Sequence, residues 1–415
     1  NDTVWVGAGR YTVSTNSVDY AGTNVVYINK PLTLSSSNET PANTIIDGEG
    51  ACRGIAINSS ANSSYKLVLD GITVSNGYAT DIGGGILFTN GALLCSLKNC
   101  LITDNTVTGS AGTVAGGLYA FAKDYIISNC TFRNNRVLSG SGAGIYGSGG
   151  GAFLRYDNTG GGGKMISTVI ENNLAGENGG GLYLGFCNAT CKHSLENCVI
   201  RNNTTQRYKD SGTGGGGIYV FGPPVIMRNC LLYNNISYAG GGAIGCYSQG
   251  SGMGKRLELI NCSIVSNRAV GGADGSFGSA VYVRRWGAAQ GYNPTLALSN
   301  SIVHSNYNIE FQMTPPPNVT NVAVCSCFVS NSIWGPNSTN LCGPGNITNN
   351  PLFADFTAQN FRLTPASPCA NAGLNQGWMI QSFDLENRSR IDRFSGRVDM
   401  GAYEYLPRGI MFKVR

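Results

Sequence analysis

At 415 residues the chain is long enough for two or three ordinary domains, yet 59 glycines with 12% charged and 42% hydrophobic residues exclude a disordered polyelectrolyte and a helical bundle. The formal net charge of +5 is carried by scattered Lys and Arg, with only Arg284-Arg285 paired beside Trp286, so no basic face for nucleic acid is expected. No apolar run reaches the roughly 18 residues that span a membrane.

Taken in chain order, residues 1–50 hold short strand-like runs broken by Gly and Pro: Val6-Gly7-Ala8-Gly9-Arg10-Tyr11, Lys30-Pro31-Leu32-Thr33-Leu34 and Thr44-Ile45-Ile46-Asp47-Gly48. These read as a cap and first coils. From 51 to 349 one phrase recurs: an Asn-Cys pair, an apolar residue two positions on, Asn again, then a glycine run opening a new apolar segment. Its copies begin at Asn99-Cys100, Asn129-Cys130, Asn197-Cys198, Asn229-Cys230 and Asn261-Cys262, with Ser167-Thr168 and Asn300-Ser301 as degenerate ones. A period of roughly 30 residues is the mark of a solenoid. One period resolves it further: Gly214 to Gly217 lead into Ile218-Tyr219-Val220, Pro223-Pro224 turn into Val225-Ile226-Met227, and Asn229-Cys230 turn into Leu231-Leu232-Tyr233. None of these runs has the length or period of a helix. The expected fold is all-β, a single-stranded right-handed parallel β-helix (solenoid) with three short strands per coil. Gly and Asn hold the corners because they tolerate left-handed backbone. Glycine-rich insertions around 147–164 become loops on one face.

The 14 cysteines divide by position. Cys100, Cys130, Cys198, Cys230 and Cys262 share one place in the repeat, so stacking at about 4.8 Å puts them in a column with parallel Cβ vectors. That geometry is poor for bridging, and reduced, buried thiols are expected there. The remainder, Cys52, Cys95, Cys187, Cys191, Cys246, Cys325, Cys327, Cys342 and Cys369, are disulfide candidates. Cys187 and Cys191 flank a stapled loop, and Cys325 or Cys327 can meet Cys342 or Cys369. His193 and His304 are the only histidines, and no second ligand pair accompanies them, so neither metal nor cofactor is expected.

The chain opens at Asn1 without a Met or a basic and apolar leader, as in a secreted protein whose signal peptide has been removed. Asn-X-Ser/Thr sequons recur at Asn38, Asn58, Asn62, Asn188, Asn203, Asn235, Asn318, Asn337, Asn346 and Asn387, the candidate glycosylation sites. Asn129 and Asn261 carry sequons too, but the Asn-Cys turn is expected to bury them.

The Asn-Cys-x-Phe/Ile and Gly-Gly-x-Ile/Leu-Tyr phrases resemble the repeats of polymorphic outer-membrane adhesins, and the opening runs resemble pectin-lyase-like β-helices. From 350 to 415 the chain resembles bacterial choice-of-anchor Q surface proteins. Asn350-Pro351-Leu352-Phe353-Ala354-Asp355, Phe361-Arg362-Leu363-Thr364-Pro365, Ser367-Pro368-Cys369-Ala370-Asn371-Ala372-Gly373 and Val398-Asp399-Met400-Gly401-Ala402-Tyr403-Glu404-Tyr405 follow in that family's order. The resemblance implies a cell-surface role. Beyond the last phrase, Ile410, Phe412 and Val414 alternate with Met411, Lys413 and Arg415, the pattern of a strand in need of a partner.

Pectin-lyase-like folds also host polysaccharide lyases and hydrolases, which need carboxylates clustered for calcium with a basic residue, or an acid and base pair facing one groove. Asp70, Asp104, Asp124, Asp157, Asp210 and Asp274 instead fall singly. No catalytic residue is assigned. Asp384, Glu386, Asp392, Asp399 and Glu404 form the best acidic group, in which Asp399 and Glu404 are expected to cap backbone or pair with Arg390 and Arg397. The expectation is an extracellular structural subunit joined head to tail with copies of itself, with surface glycans as a further partner. A carbohydrate-binding adhesin with a Tyr-lined face (Tyr119, Tyr146, Tyr183, Tyr219, Tyr282) or a polysaccharide-active enzyme is the alternative.

Overall fold

A computed structural model describes residues 2–13, 18–19, 22–37, 40–58, 66–89, 94–109, 112, 114–139, 147–156, 161–185, 191–206, 214–248, 256–270, 278–285, 295–307, 309–314, 321–324, 326–329 and 344–405. Each period of the sequence closes one coil, and the coils stack into a right-handed parallel β-helix. Three walls run its length, each an 11-stranded sheet. The first wall begins at Asp2–Val6 and takes in Leu94–Lys98 and Val225–Arg228. The second begins at Gly9–Tyr11 and takes in Leu101–Thr103 and Leu231–Tyr233; the third includes Ile86–Phe88 and Ile218–Phe221. Strands pair in parallel from coil to coil, as in Leu97 with Leu69 and Ile127, except for the antiparallel pair Val18–Asp19 and Gly22–Ile28 at the start of the third wall. The three expected strands per coil are present. A fourth, 7-stranded sheet of two- to four-residue strands, Tyr78–Ala79 through Arg268–Ala269, is added between the second and third walls. Four of its strands follow an Asn-Asn pair, and all are too short to show a hydrophobic period.

Alternate residues of each strand fill the lumen. Leu69, Leu97, Ile127, Met165, Leu195 and Met227 form one inward column, and Val74, Ile102, Phe132, Ile170, Ile200 and Leu232 another, all within one apolar core. Cys95 occupies the first kind of position, in register with Leu67 and Tyr125, and Cys246 stands in register with Val220 and Val283. Two of the cysteines expected to bridge are thus core residues. Cys52 is also a buried thiol, its Sγ 3.5 Å from the Gly48 carbonyl. Cys191 is disulfide-bonded; Cys187, its expected partner, lies outside the described residues, as do Cys325 and Cys342.

Two kinds of corner carry the asparagines. Asn99, Asn129, Asn197, Asn229, Asn261 and Asn300 turn the first wall into the second with φ between 50° and 54°. Their neighbours, the column cysteines, face the lumen. Cys198, Cys230 and Cys262 each direct Sγ at two carbonyls, that of the residue two before and one in the preceding coil, at 3.3–3.6 Å. Ser301 Oγ makes the same two bonds at 3.0 Å, and Thr168 one at 2.9 Å. The position selects a small donor, which explains why hydroxyls replace the thiol.

The second corner holds a continuous buried ladder. Asn135, Asn173, Asn203, Asn235, Asn267 and Asn306 each accept, at Oδ1, from the backbone N–H and the Nδ2 of the asparagine one coil earlier, and Asn105, the first member, accepts from the Gly77 N–H. Each Nδ2 also donates to a carbonyl such as Ile170 O for Asn203, at 2.9 Å. Corner amides that water cannot reach are satisfied in this way. The glycine runs belong to the same device: a Cβ at Gly117 would stand 2.3 Å from the Gly151 carbonyl and 3.0 Å from the Asn135 amide carbon.

Candidate functional site

The ladder corrects two glycosylation candidates. Asn203 and Asn235 are 0% exposed with Nδ2 engaged, leaving no room for a glycan. Asn387 is exposed, while Asn58 and Asn346 are partly covered. Asn38, Asn62, Asn188, Asn318 and Asn337 lie outside the described residues. Asn129 stands exposed at its corner, against expectation; Asn261 is buried, because the C-terminal module covers it.

That module, described over residues 350–405, lies back along the second wall and its corner. Asn229 Nδ2 donates to Phe383 O at 2.8 Å, Asn261 Nδ2 to Asp399 O at 2.9 Å and Asn300 Nδ2 to Leu374 O at 2.9 Å. Phe361 and Ala402 bury Leu231, Tyr233 and Val265; Met379 and Val398 bury Ile260. Inside it, Arg390 is 0% exposed beside Glu404, with Nη1 3.2 Å from Oε1 though not aligned as a hydrogen bond. Nη2 donates to Gly401 O at 3.0 Å. Asp399 caps the Asn371 N–H at 2.6 Å and the Tyr405 N–H at 2.5 Å, and Asp384 accepts from the Glu386, Arg388 and Glu404 N–H groups. Burial pushes Glu404 up to about 9 and Asp399 up to about 6. The expected pairing of Glu404 with Arg390 and capping by Asp399 is the arrangement found; Arg397 instead bonds Asn371 O. Buried and fully bonded to backbone, these carboxylates hold the module rather than face a groove.

A cleft of about 500 Å³ does open at the first coils, where the second wall turns into the short sheet. Arg10, Glu49, Tyr78 and Asp104 line it with Asn76 and Thr106. Arg10 Nε donates to Asp47 Oδ2 at 2.9 Å and its Nη2 lies 3.3 Å from Glu49 Oε1; Asn76 Nδ2 bonds both Asp47 oxygens. Asp47 is held below the usual carboxylate range by Arg10, the Glu49 N–H and Asn76, against its desolvation. Asp104 takes bonds from Thr103 Oγ1 at 2.6 Å and Asn134 Nδ2 at 3.1 Å. Sequence reading had Asp104 as an isolated acid and missed Arg10 and Glu49. The available signal was that Asp104 stands where later coils place Asn134, Asn172, Asn202 and Asn234. No group of three metal-ligating side chains occurs among the described residues.

The third wall presents outward rings. Tyr119, Phe153 and Tyr183 stack at centroid distances of 5.5 and 4.2 Å, Tyr219 lies tilted against Tyr183 at 5.1 Å, and Arg155 lies 5.4 Å over Phe121. Phe153 fills the place expected of Tyr146, which is outside the described residues, and Gly245 stands in register between Tyr219 and Tyr282. His193 is internal: its Nδ1 lies 2.5 Å from Tyr125 Oη, and burial lowers its pKa to about 3.

Among the described residues Asp2–Val6 and Gly9–Tyr11 have a strand neighbour on one side only, and Trp5 is 63% exposed with Val4 and Tyr11 also exposed. These walls and corners define a right-handed parallel β-helix. Among solved structures, the chain is similar to the crystal structure of pectate lyase Pel9A, with TM-score 0.53 and 12% identity over 97% of this chain and 87% of that one. No protein-family model and no curated protein matches the sequence. No helix among the described residues is long and apolar enough to cross a membrane.

Proposed function

We propose that the chain is an extracellular surface or fibre protein, of the kind its resemblance to choice-of-anchor Q proteins and polymorphic adhesins implies, assembling end to end with copies of itself. The first described coil carries this reading. Strands bonded on one side offer unpaired backbone groups, and Val4, Trp5 and Tyr11 add apolar surface beside them. At the other end Asn321–Val324 and Ile309–Thr314 are, among the described residues, the last strands of their sheets, while Ile347 bridges to Cys327 beside them. Two parallel edges of like geometry join head to tail, and that heterologous contact does not close. Ile410, Phe412 and Val414 remain the proposed donor strand to a neighbouring subunit, outside the described residues. Sedimentation and electron microscopy test the reading. Particles longer than one subunit that fall apart in Val4→Lys/Trp5→Lys support it; a wild-type chain that stays monomeric at high concentration overturns it. Loss of the tail from Gly409 on leaves assembly through the first described coil in place if the tail is not the donor.

The cleft favours a second reading, recognition of a glycan. A guanidinium, two carboxylates and a tyrosine in one concavity can hydrogen-bond several sugar hydroxyls. Glycan-array binding lost on Arg10→Ala supports it. Incubation with acidic polysaccharides separates binding from lyase or hydrolase action, because only the latter release unsaturated products or reducing ends. Extracellular glycosylation, at Asn387 first, is read by intact mass on natural material.

A further inference from the structure

The last coil and the C-terminal module meet at two thiols. Cys327 opens the strand Cys327–Val329, the last of the second wall, and Cys369 belongs to the module. Both are 0% exposed and share one apolar cluster with Ile302, Leu363 and Met400. The two side chains lie together in that small cluster, and Cys327 Sγ lies 3.2 Å from Asn349 O. Cys369 is fixed on both sides: its N–H donates to Ser367 Oγ at 3.2 Å and its carbonyl accepts from Met400 N at 3.0 Å.

The contrast with the lumen column is geometric. Cys198, Cys230 and Cys262 sit on successive coils with their side chains parallel, each directed at carbonyls. Cys327 and Cys369 come from separate elements and converge, and Cys191 in the same chain is already disulfide-bonded. We propose that Cys327 and Cys369 close to a disulfide under oxidising conditions, a covalent latch that holds the module on the last coil.

The oxidant is a small-molecule or protein disulfide of the folding compartment. One cysteine thiolate attacks it, forming a mixed disulfide and releasing one thiol; the second cysteine thiolate then attacks the mixed disulfide and releases the other. Two electrons pass to the donor disulfide, the two cysteine protons end on the released thiols, and the protein gains one S–S bond. Since both cysteines are fully buried once the module is docked, exchange takes place before docking, and the closed bond then resists reduction.

The test refolds the full chain in a mixture of oxidised and reduced glutathione, blocks residual thiols with N-ethylmaleimide, and maps peptides without reduction. The expected result is a cross-linked Cys327–Cys369 peptide and a Tm several degrees lower when the chain is refolded in reductant. Cys327→Ser and Cys369→Ser should each remove that peptide, and the double variant should melt no lower than either single one. Both cysteines blocked in folded-then-denatured wild type, or either found bonded to Cys325 or Cys342, overturns the latch. Because the map needs only wild-type protein, misfolding of a variant does not remove the test. The same map on natural material bears separately on the extracellular reading.

Discussion

The β-helix and the module laid along it solve one problem, buried polar groups, in opposite ways. In the stack every coil supplies the partner for the next: Asn203 accepts from Asn173 and donates to Asn235, and Cys230 reaches the carbonyl of Leu195 as Cys262 reaches that of Met227. All these groups are neutral, so no charge is taken out of water. The module has no repeat to draw on. It concentrates Arg390, Glu404, Asp399 and Asp384 in one buried site, and the guanidinium Nε has no hydrogen-bond partner among the described residues. Repetition distributes the cost of burial over many small bonds, whereas a unique interface must localise it in a few strong ones.

That contrast is broken most directly at Arg390. Arg390→Met removes the cation from a buried acidic site and should cost about 3–5 kcal/mol, seen as separate early unfolding of the module. Trp378 fluorescence reports it, since that ring lies 5.4 Å from Arg228 on the first wall. A single transition with an unchanged midpoint would show that the charges contribute nothing to docking.

In the ladder, Asn203→Ala strips partners from Asn173 and Asn235 and should cost about 3 kcal/mol in a denaturant titration. Asn129→Ala, at an exposed left-handed corner, should cost only about 1–2 kcal/mol, mostly backbone strain. Equal costs at the two sites would refute the distinction between ladder and corner.

The pH profile separates the regions next. Glu404, with its folded pKa raised to about 9 from 4.5, and Asp399, raised to about 6 from 3.8, bind protons more tightly folded than unfolded. Their contribution is complete below the unfolded values and declines as pH rises through 6 and then 9. Glu386, lowered by Arg362, and Asp392, lowered by backbone N–H groups, act in the other direction and lose their contribution as pH falls below the ordinary carboxylate range. The module melts highest near pH 5 and lower by pH 9, while the ladder, having no titrating member, is insensitive. Thermal scans followed at Trp378 read this directly.

The smallest effect belongs to the thiol column. Cys198→Ser keeps a small donor, as Ser301 does naturally, and should cost under about 1 kcal/mol, whereas Cys198→Val, which cannot donate, should cost more.

How much of this was legible follows from what repeats. The Asn-Cys phrase and the glycine runs located the strands Ile218–Phe221, Val225–Arg228 and Leu231–Tyr233 to within a residue or so. A position repeated every coil has one environment, and one environment selects one residue type. The short fourth sheet escaped, its strands being two to four residues long. So did the roles of the two asparagines in each Asn-Asn pair: Asn202 is a left-handed corner, while Asn203 is a buried ladder member and no glycan acceptor. Adjacent identical letters carry no sign of which one faces inward.

By itself, then, the sequence determined the class of fold, the coil length and the column of small donors, because these follow from local periodicity. Tertiary structure alone decided that the module lies along the second wall and also meets the last coil, that Asn261 is covered while Asn129 is exposed, and that Cys327 shares a cluster with Cys369 whereas Cys95 and Cys246 serve as core. Those outcomes depend on contacts between segments far apart in the chain, such as Asn261 with Asp399 and Ser263 with Ala402, and no spacing along a sequence encodes the distance between surfaces that meet only once.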